Sequence, residues 1–114
     1  MIERETHMER LFVYGTLGPG RPNEHVMSNI GGVWESASLK GRLVQAGWGA
    51  DLGFPGLVIA EDGDDIHGHL FCSENFARHW PALDDFEGAE YQRVLTSVTL
   101  DNGAQVSAYV YALR

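Results

Sequence analysis

The sequence predicts an α+β fold built as a small, closed or nearly closed mixed β-barrel of about five to seven strands with two short helices. Three observations carry this expectation. Several short apolar runs of strand length are separated by turns rich in glycine, which makes up 14 of the 114 residues against a usual share of about 7%. Two helical segments interrupt these runs in no βαβ rhythm, which argues against a doubly wound sheet. Closing the sheet on itself is also the economical way for so short a chain to avoid exposed strand edges.

The elements follow in order. Leu11 to Tyr14 reads as a first strand that runs directly into Gly15. Pro22 can occupy the first turn of a short helix through Ile30, where its fixed φ is tolerated, and Gly31-Gly32 ends it. Val33 to Ala46 is long enough for a bent strand or a strand pair, with Gly41 as the bend or bulge. A glycine-rich loop from Gly47 to Gly56 leads to a strand at Leu57 to Ala60. The acidic turn Glu61 to Asp65 then leads to another at Ile66 to Cys72, and these two are expected to form a hairpin. Ser73 reads as the N-cap of a helix whose apolar face carries Phe76, Trp80, Leu83 and Phe86, with Pro81 restarting the helix at a new first turn. Gln92 to Leu100 and Gln105 to Leu113 alternate well, and Asp101-Asn102-Gly103 between them is a strong hairpin signal.

The length fits one domain spanning residues 1–114, with residues 1–9 expected to be a flexible N-terminal extension. No apolar run approaches the roughly 20 residues that span a bilayer, and the N-terminal stretch lacks the apolar centre of a secretory signal. A cytoplasmic location with no membrane partner is therefore expected. The single cysteine, Cys72, excludes an intramolecular disulfide and is read as a small buried apolar residue. Sixteen acidic against eight basic residues give a net charge of -8, which repels phosphate backbones and makes nucleic acid an unexpected partner. The same field slows an anionic ligand, so a bound carboxylate must be held by local backbone donors.

Three familiar signals fail on spacing. Gly15-Thr16-Leu17-Gly18-Pro19-Gly20 is neither a dinucleotide fingerprint nor a P-loop, and Gly47-Trp48-Gly49 lacks a third glycine in place. His67 and His69 share a strand face but find no third ligand at convincing spacing, so they read as a polar strand face and no metal is expected. More informative is the strand that runs into Gly15, because its turn leaves backbone N–H groups at one rim of the barrel, an arrangement that forms an anion nest. Taken alone it is equally a plain strand-to-helix turn. A second focus is Leu83-Asp84-Asp85-Phe86-Glu87-Gly88. Glu87 stands just before a helix-ending glycine, where the helix dipole disfavours negative charge. Three carboxylates in four positions are otherwise a solvated acidic helix end. Arg93 is placed to pair with Asp84 or Asp85 and hold that end.

Leu11-Phe12-Val13-Tyr14-Gly15-Thr16-Leu17, Phe54-Pro55-Gly56-Leu57 and Leu83-Asp84-Asp85-Phe86-Glu87-Gly88 followed by Tyr91-Gln92-Arg93 together resemble the γ-glutamylcyclotransferase-like (AIG2-like) family. The likeness is closest to its γ-glutamylamine cyclotransferase branch and runs, motifs in order, from about Leu11 to Tyr111. The resemblance implies a small mixed β-barrel with a cavity. It implies that Tyr14, Gly15, Thr16 and Leu17 bind the γ-glutamyl or 5-oxoproline part of a ligand, and that Glu87 is the catalytic acid/base. Only Ala89 and Glu90 stand between Gly88 and Tyr91, where many relatives of the eukaryotic branch have a longer insertion.

The expected reaction converts a γ-glutamyl amine or peptide to 5-oxoproline and free amine, with no metal or cofactor and a small γ-glutamyl molecule as the partner. Glu87 needs a pKa raised toward neutrality, which burial beside Phe86 can supply. Tyr91 and Tyr109 are candidate pocket hydroxyls, although strand tyrosines also serve as core. The alternative is a non-catalytic domain that binds a γ-glutamyl compound or amino acid in the same cavity.

Overall fold

The computed structural model describes residues 8–15, 17–45 and 56–114. Six strands and two helices follow in the order β1 (Glu9–Val13), α1 (Glu24–Ile30), β2 (Val33–Val44), β3 (Gly56–Ile59), β4 (Asp64–Ser73), α2 (Trp80–Glu87), β5 (Tyr91–Leu100) and β6 (Gln105–Leu113). The spatial order is β3-β2-β4-β1-β6-β5, and a further β2–β5 pairing closes five strands into a barrel with β3 as an extra strand on β2. The mixed-barrel expectation agrees with this. All pairings are antiparallel except β1–β6, which is parallel. That one parallel pairing brings the C-terminal ends of β1 and β6 to the same rim, beside the start of β5.

Side chains alternate between two cores, as a pleated sheet requires. Phe12, Leu39, Leu57, Leu70, Val98 and Val110 fill the barrel interior. The opposite face of the same strands, including Leu11, Val13, Phe71 and Tyr111, is covered by Met27 and Ile30 of α1 and by Phe76, Trp80 and Leu83.

Four expectations are corrected. The first strand begins at Glu9, two residues earlier than expected, and the Trp80 indole N–H donates to the Glu9 carboxylate at 3.3 Å; residue 9 is therefore part of the barrel and not of an extension, while residues 1–7 lie outside the described residues. The first helix starts at Glu24, because 21–23 form a turn in which the Glu24 N–H donates to Arg21 O. Ser73 ends β4 instead of capping a helix. Its hydroxyl donates to Gly31 O at 2.6 Å and accepts from the Asn75 N–H at 3.0 Å, and a one-turn 3-10 segment, Phe76–Arg78, precedes α2. Pro81 then stands in the first turn of α2, as its chemistry predicts.

The fourth correction concerns β3 and β4, which do not form a hairpin but flank β2. Gly41 pairs with Ile59 of β3 and with Asp64 of β4, so the connection 60–63 passes β2 at this residue. A Cβ at Gly41 would stand 2.7 Å from Val58 O, and one at Gly63 would collide with the Gly41 backbone. Two glycines thus permit a crossing that the short acidic turn disguises. By contrast, the β5–β6 hairpin forms as predicted, with Gly103 at φ +90° closing its turn.

Candidate active site

Glu87 is the last residue of α2, and its neighbours on the helix explain why it is buried. Trp80, Leu83 and Glu87 are spaced three and four apart, so they share one face of the helix, and all three are buried. A carboxylate thus occupies the next position of an apolar stripe, at 9% exposure, with Phe86 half-buried on its shoulder. Gly88, at φ +88°, ends the helix, and its N–H donates to Asp84 O. Burial pushes the Glu87 carboxyl up to about 7, because removal from water disfavours its charged form. A group of that acidity can accept and return a proton near neutral pH.

The rim created by the parallel β1–β6 pair faces this helix end. Tyr14, just past β1, donates its hydroxyl hydrogen to Tyr111 O at 2.7 Å and accepts from the Leu57 N–H at 3.1 Å, tying β1, β3 and β6 together. Burial drives its phenol pKa well above the usual tyrosine value, with the charges of Tyr91 and Glu87 adding to the effect. Burial raises Tyr111 likewise, its bond to Asp84 and the charge of Glu87 adding to it. Tyr14, Tyr111 and Glu87 therefore lie within electrostatic reach of one another.

The remaining sequence-derived candidates divide. Leu17 is buried in the same apolar cluster as Leu83, Tyr91 and Tyr111, on the far side of a turn in which the Gly18 N–H donates to Gly15 O at 3.1 Å. The space where a Gly15 Cβ would stand is open to 4 Å. Thr16, Phe54, Pro55 and the Gly47-Trp48-Gly49 segment lie outside the described residues. Tyr91 is buried at the start of β5. Tyr109 packs instead against the Trp80 ring, 5.1 Å between centroids, and beneath the Arg93 guanidinium. Tyr111, two residues further along β6, feels the charge of Glu87 and was not among the pocket candidates expected from the sequence. The signal was present in the Tyr109-Val110-Tyr111 alternation, which places both phenols on one face. His67 and His69 are exposed, and no group of three or more potential metal ligands occurs among the described residues.

Asp84, one turn before Glu87, meets a different fate. The Arg93 guanidinium grips it in a fork, Nε to Oδ1 at 3.0 Å and an Nη to Oδ2 at 3.3 Å, and the Tyr111 hydroxyl donates to it at 2.7 Å. The Arg93 bonds hold its carboxyl below the usual carboxylate range. An open cleft of about 540 Å³ borders this end of the helix, lined by Asp84, Asp85, Tyr91, Arg93 and Tyr111 among others, and Glu87 is not among the lining residues.

The family model described as gamma-glutamyl cyclotransferase, AIG2-like, matches residues 11–114. The chain belongs to this family. Solved structures of similar fold include an AIG2-like protein from Mus musculus at 31% identity, which covers 93% of this chain and 77% of that one with a TM-score of 0.71. Another is YkqA from Bacillus subtilis, at 28% identity and a TM-score of 0.72, covering 95% of this chain but 36% of that longer one. A structure titled gamma-glutamyl cyclotransferase shares the fold at a TM-score of 0.66 over 95% of this chain and 68% of that one, at 15% identity. No curated protein matches the sequence. No helix among the described residues is long and apolar enough to cross a membrane.

Proposed function

We propose that this member of the AIG2-like family is a γ-glutamyl cyclotransferase that acts on a γ-glutamyl amine or peptide, with Glu87 as its general acid/base. The single observation that carries the reading is the burial of Glu87 in the apolar stripe of α2, with its acidity moved to about 7. In the proposed reaction the substrate α-amino group attacks its own γ-carbonyl. The new C–N bond closes 5-oxoproline as the bond to the departing amine breaks. Glu87 takes one proton from the α-ammonium and passes it to the departing nitrogen, and the second proton, lost as the ring nitrogen becomes a lactam N–H, follows the same route; the amine leaves as its ammonium ion and the proton count balances without a cofactor. Since nucleophile and electrophile are tethered, the protein needs only to fold the substrate into a near-attack shape and move the proton.

The turn at Gly15 and Leu17 is the proposed holder of the substrate carboxylate or developing oxyanion through backbone N–H groups. The open space at Gly15 favours this, because among the described residues no side chain beyond its chain neighbours stands within 4 Å of where its Cβ would be. Tyr14 supports the turn structurally, since its hydroxyl is already engaged as both donor and acceptor.

Glu87→Gln keeps the side-chain shape and removes the proton carrier. Release of 5-oxoproline across a panel of γ-glutamyl amines, dipeptides and glutathione should fall by about 10²-fold or more in kcat. Binding of 5-oxoproline, read as thermal protection, should persist. Retained turnover in the variant contradicts the mechanism; protection without turnover in the unmodified protein favours the non-catalytic binding alternative.

A further inference from the structure

Arg93 touches α2 at two places. Its guanidinium lies 4.3 Å from the Trp80 ring centroid, near the start of the helix, and forks the Asp84 carboxylate one turn later. Its other neighbours are on the hairpin: the Tyr109 ring at 5.1 Å, and Tyr111, whose hydroxyl closes on the same Asp84 oxygen. A single contact would let the helix pivot on the sheet, whereas two contacts four residues apart on one side fix its rotation about its own axis. That rotation decides whether the side chain at 87 faces the rim or the solvent, because residues 80, 83, 84 and 87 share neighbouring positions on the helix surface.

We propose that Arg93, Asp84 and Tyr111 are positioning residues, forming a clamp that holds the last turn of α2 in the one rotation that turns Glu87 inward. The inference rests on the reading of Glu87 as the acid/base for its catalytic consequence, but its geometry stands apart from turnover. Stability alone does not account for the arrangement. Side chains as exposed as Arg93 (24%) and Asp84 (45%) contribute only about 0.2–1 kcal/mol as an ordinary surface pair. Arginine is required for its shape: a planar fork that also lies on two rings, which a lysine ammonium cannot reproduce.

Tyr14, just past β1, and Tyr111 on β6 feel the charge of Glu87, Asp84 and Asp85 stand on its own helix, and Arg93 of β5 reaches that helix at Asp84. The test must therefore leave charge unchanged. Arg93→Lys keeps the positive charge while losing fork and stacking, and Tyr111→Phe removes one uncharged hydroxyl. Each is followed by NMR titration of the Glu87 carboxyl in protein labelled with 13C-glutamate. In a loosened helix Glu87 meets water, so its midpoint should fall by about one pH unit or more in Arg93→Lys and by less in Tyr111→Phe. The acidic limb of the kcat/KM profile should move with it. An unchanged Glu87 midpoint in folded variants, even with a lowered Tm, overturns the proposal. If Arg93→Lys does not fold, Tyr111→Phe decides alone. A shifted midpoint in a protein with no 5-oxoproline release supports the clamp while refuting the proposed reaction, so the two failures are distinguishable.

Discussion

The two faces of the barrel wall do different jobs with similar backbones. Inside, Phe12, Leu57, Leu70, Val98 and Val110 form a core of aliphatic and phenyl groups. Outside, under the helices, aromatic groups dominate: Phe71, Phe76, Trp80, Tyr91 and Tyr111 pack there, with Phe76 and Trp80 stacked 4.3 Å apart and 6° from parallel. Among the described residues, only this outer layer counts tyrosines among its buried members, Tyr91 and Tyr111, and it is the layer that the Trp80, Leu83 and Glu87 face of α2 covers. The interior closes the scaffold. The outer layer, capped by α2, supplies a low-dielectric surface in which one carboxylate is desolvated while another, Asp84, is charge-paired a single turn away.

Core truncations sharpen this contrast. Phe12→Ala should cost roughly 3–5 kcal/mol of stability by opening a cavity in the interior, and Leu83→Ala roughly 2–5 kcal/mol beneath α2. Denaturant unfolding measures both losses. Only Leu83→Ala should lower the Glu87 titration midpoint, because only it unpacks the helix face that Glu87 shares. Equal effects of the two variants on that midpoint would erase the functional distinction between the layers.

The next effect is smaller and opposite in sign. A carboxyl whose folded pKa of about 7 exceeds its ordinary 4.5 favours the native state below pH 4.5 relative to alkaline pH. That stability is lost as pH rises through 7, since the fold then buries a charge. The full gap corresponds to roughly 3 kcal/mol as an upper bound. Glu87→Gln should therefore raise Tm relative to the unmodified protein at pH 8 and leave it nearly unchanged at pH 4. A fall in Tm at pH 8 would mean that the ionised carboxylate is welcomed by its surroundings.

Much of the scaffold was legible because its signals are local. Asp101-Asn102-Gly103 marked the β5–β6 turn, Gly31 the end of α1, and alternating apolar residues the strands. The β3–β4 arrangement was hidden, since a short polar turn between two apolar runs reads as a hairpin and the crossing depends on how closely Gly41 and Gly63 approach in space. At the site, the spacing of Trp80, Leu83 and Glu87 already put a carboxylate on the buried stripe, although Phe86 drew attention as the apolar neighbour. Of the two partners expected for Arg93, Asp84 or Asp85, the structure pairs it with Asp84. Tyr111 was missed because its importance comes from the parallel β1–β6 pairing, a long-range feature that places its carbonyl against Tyr14 and its hydroxyl against Asp84.

The central claim is that Glu87 is held in the fold as an acid of near-neutral pKa. Titration of its 13C-labelled carboxyl in the unmodified, ligand-free protein tests this most directly, with Glu87→Gln assigning the resonance. A midpoint at about 7 is predicted. A midpoint at the ordinary value of 4.5 would contradict the account, leaving a solvated helix end where a proton carrier was placed.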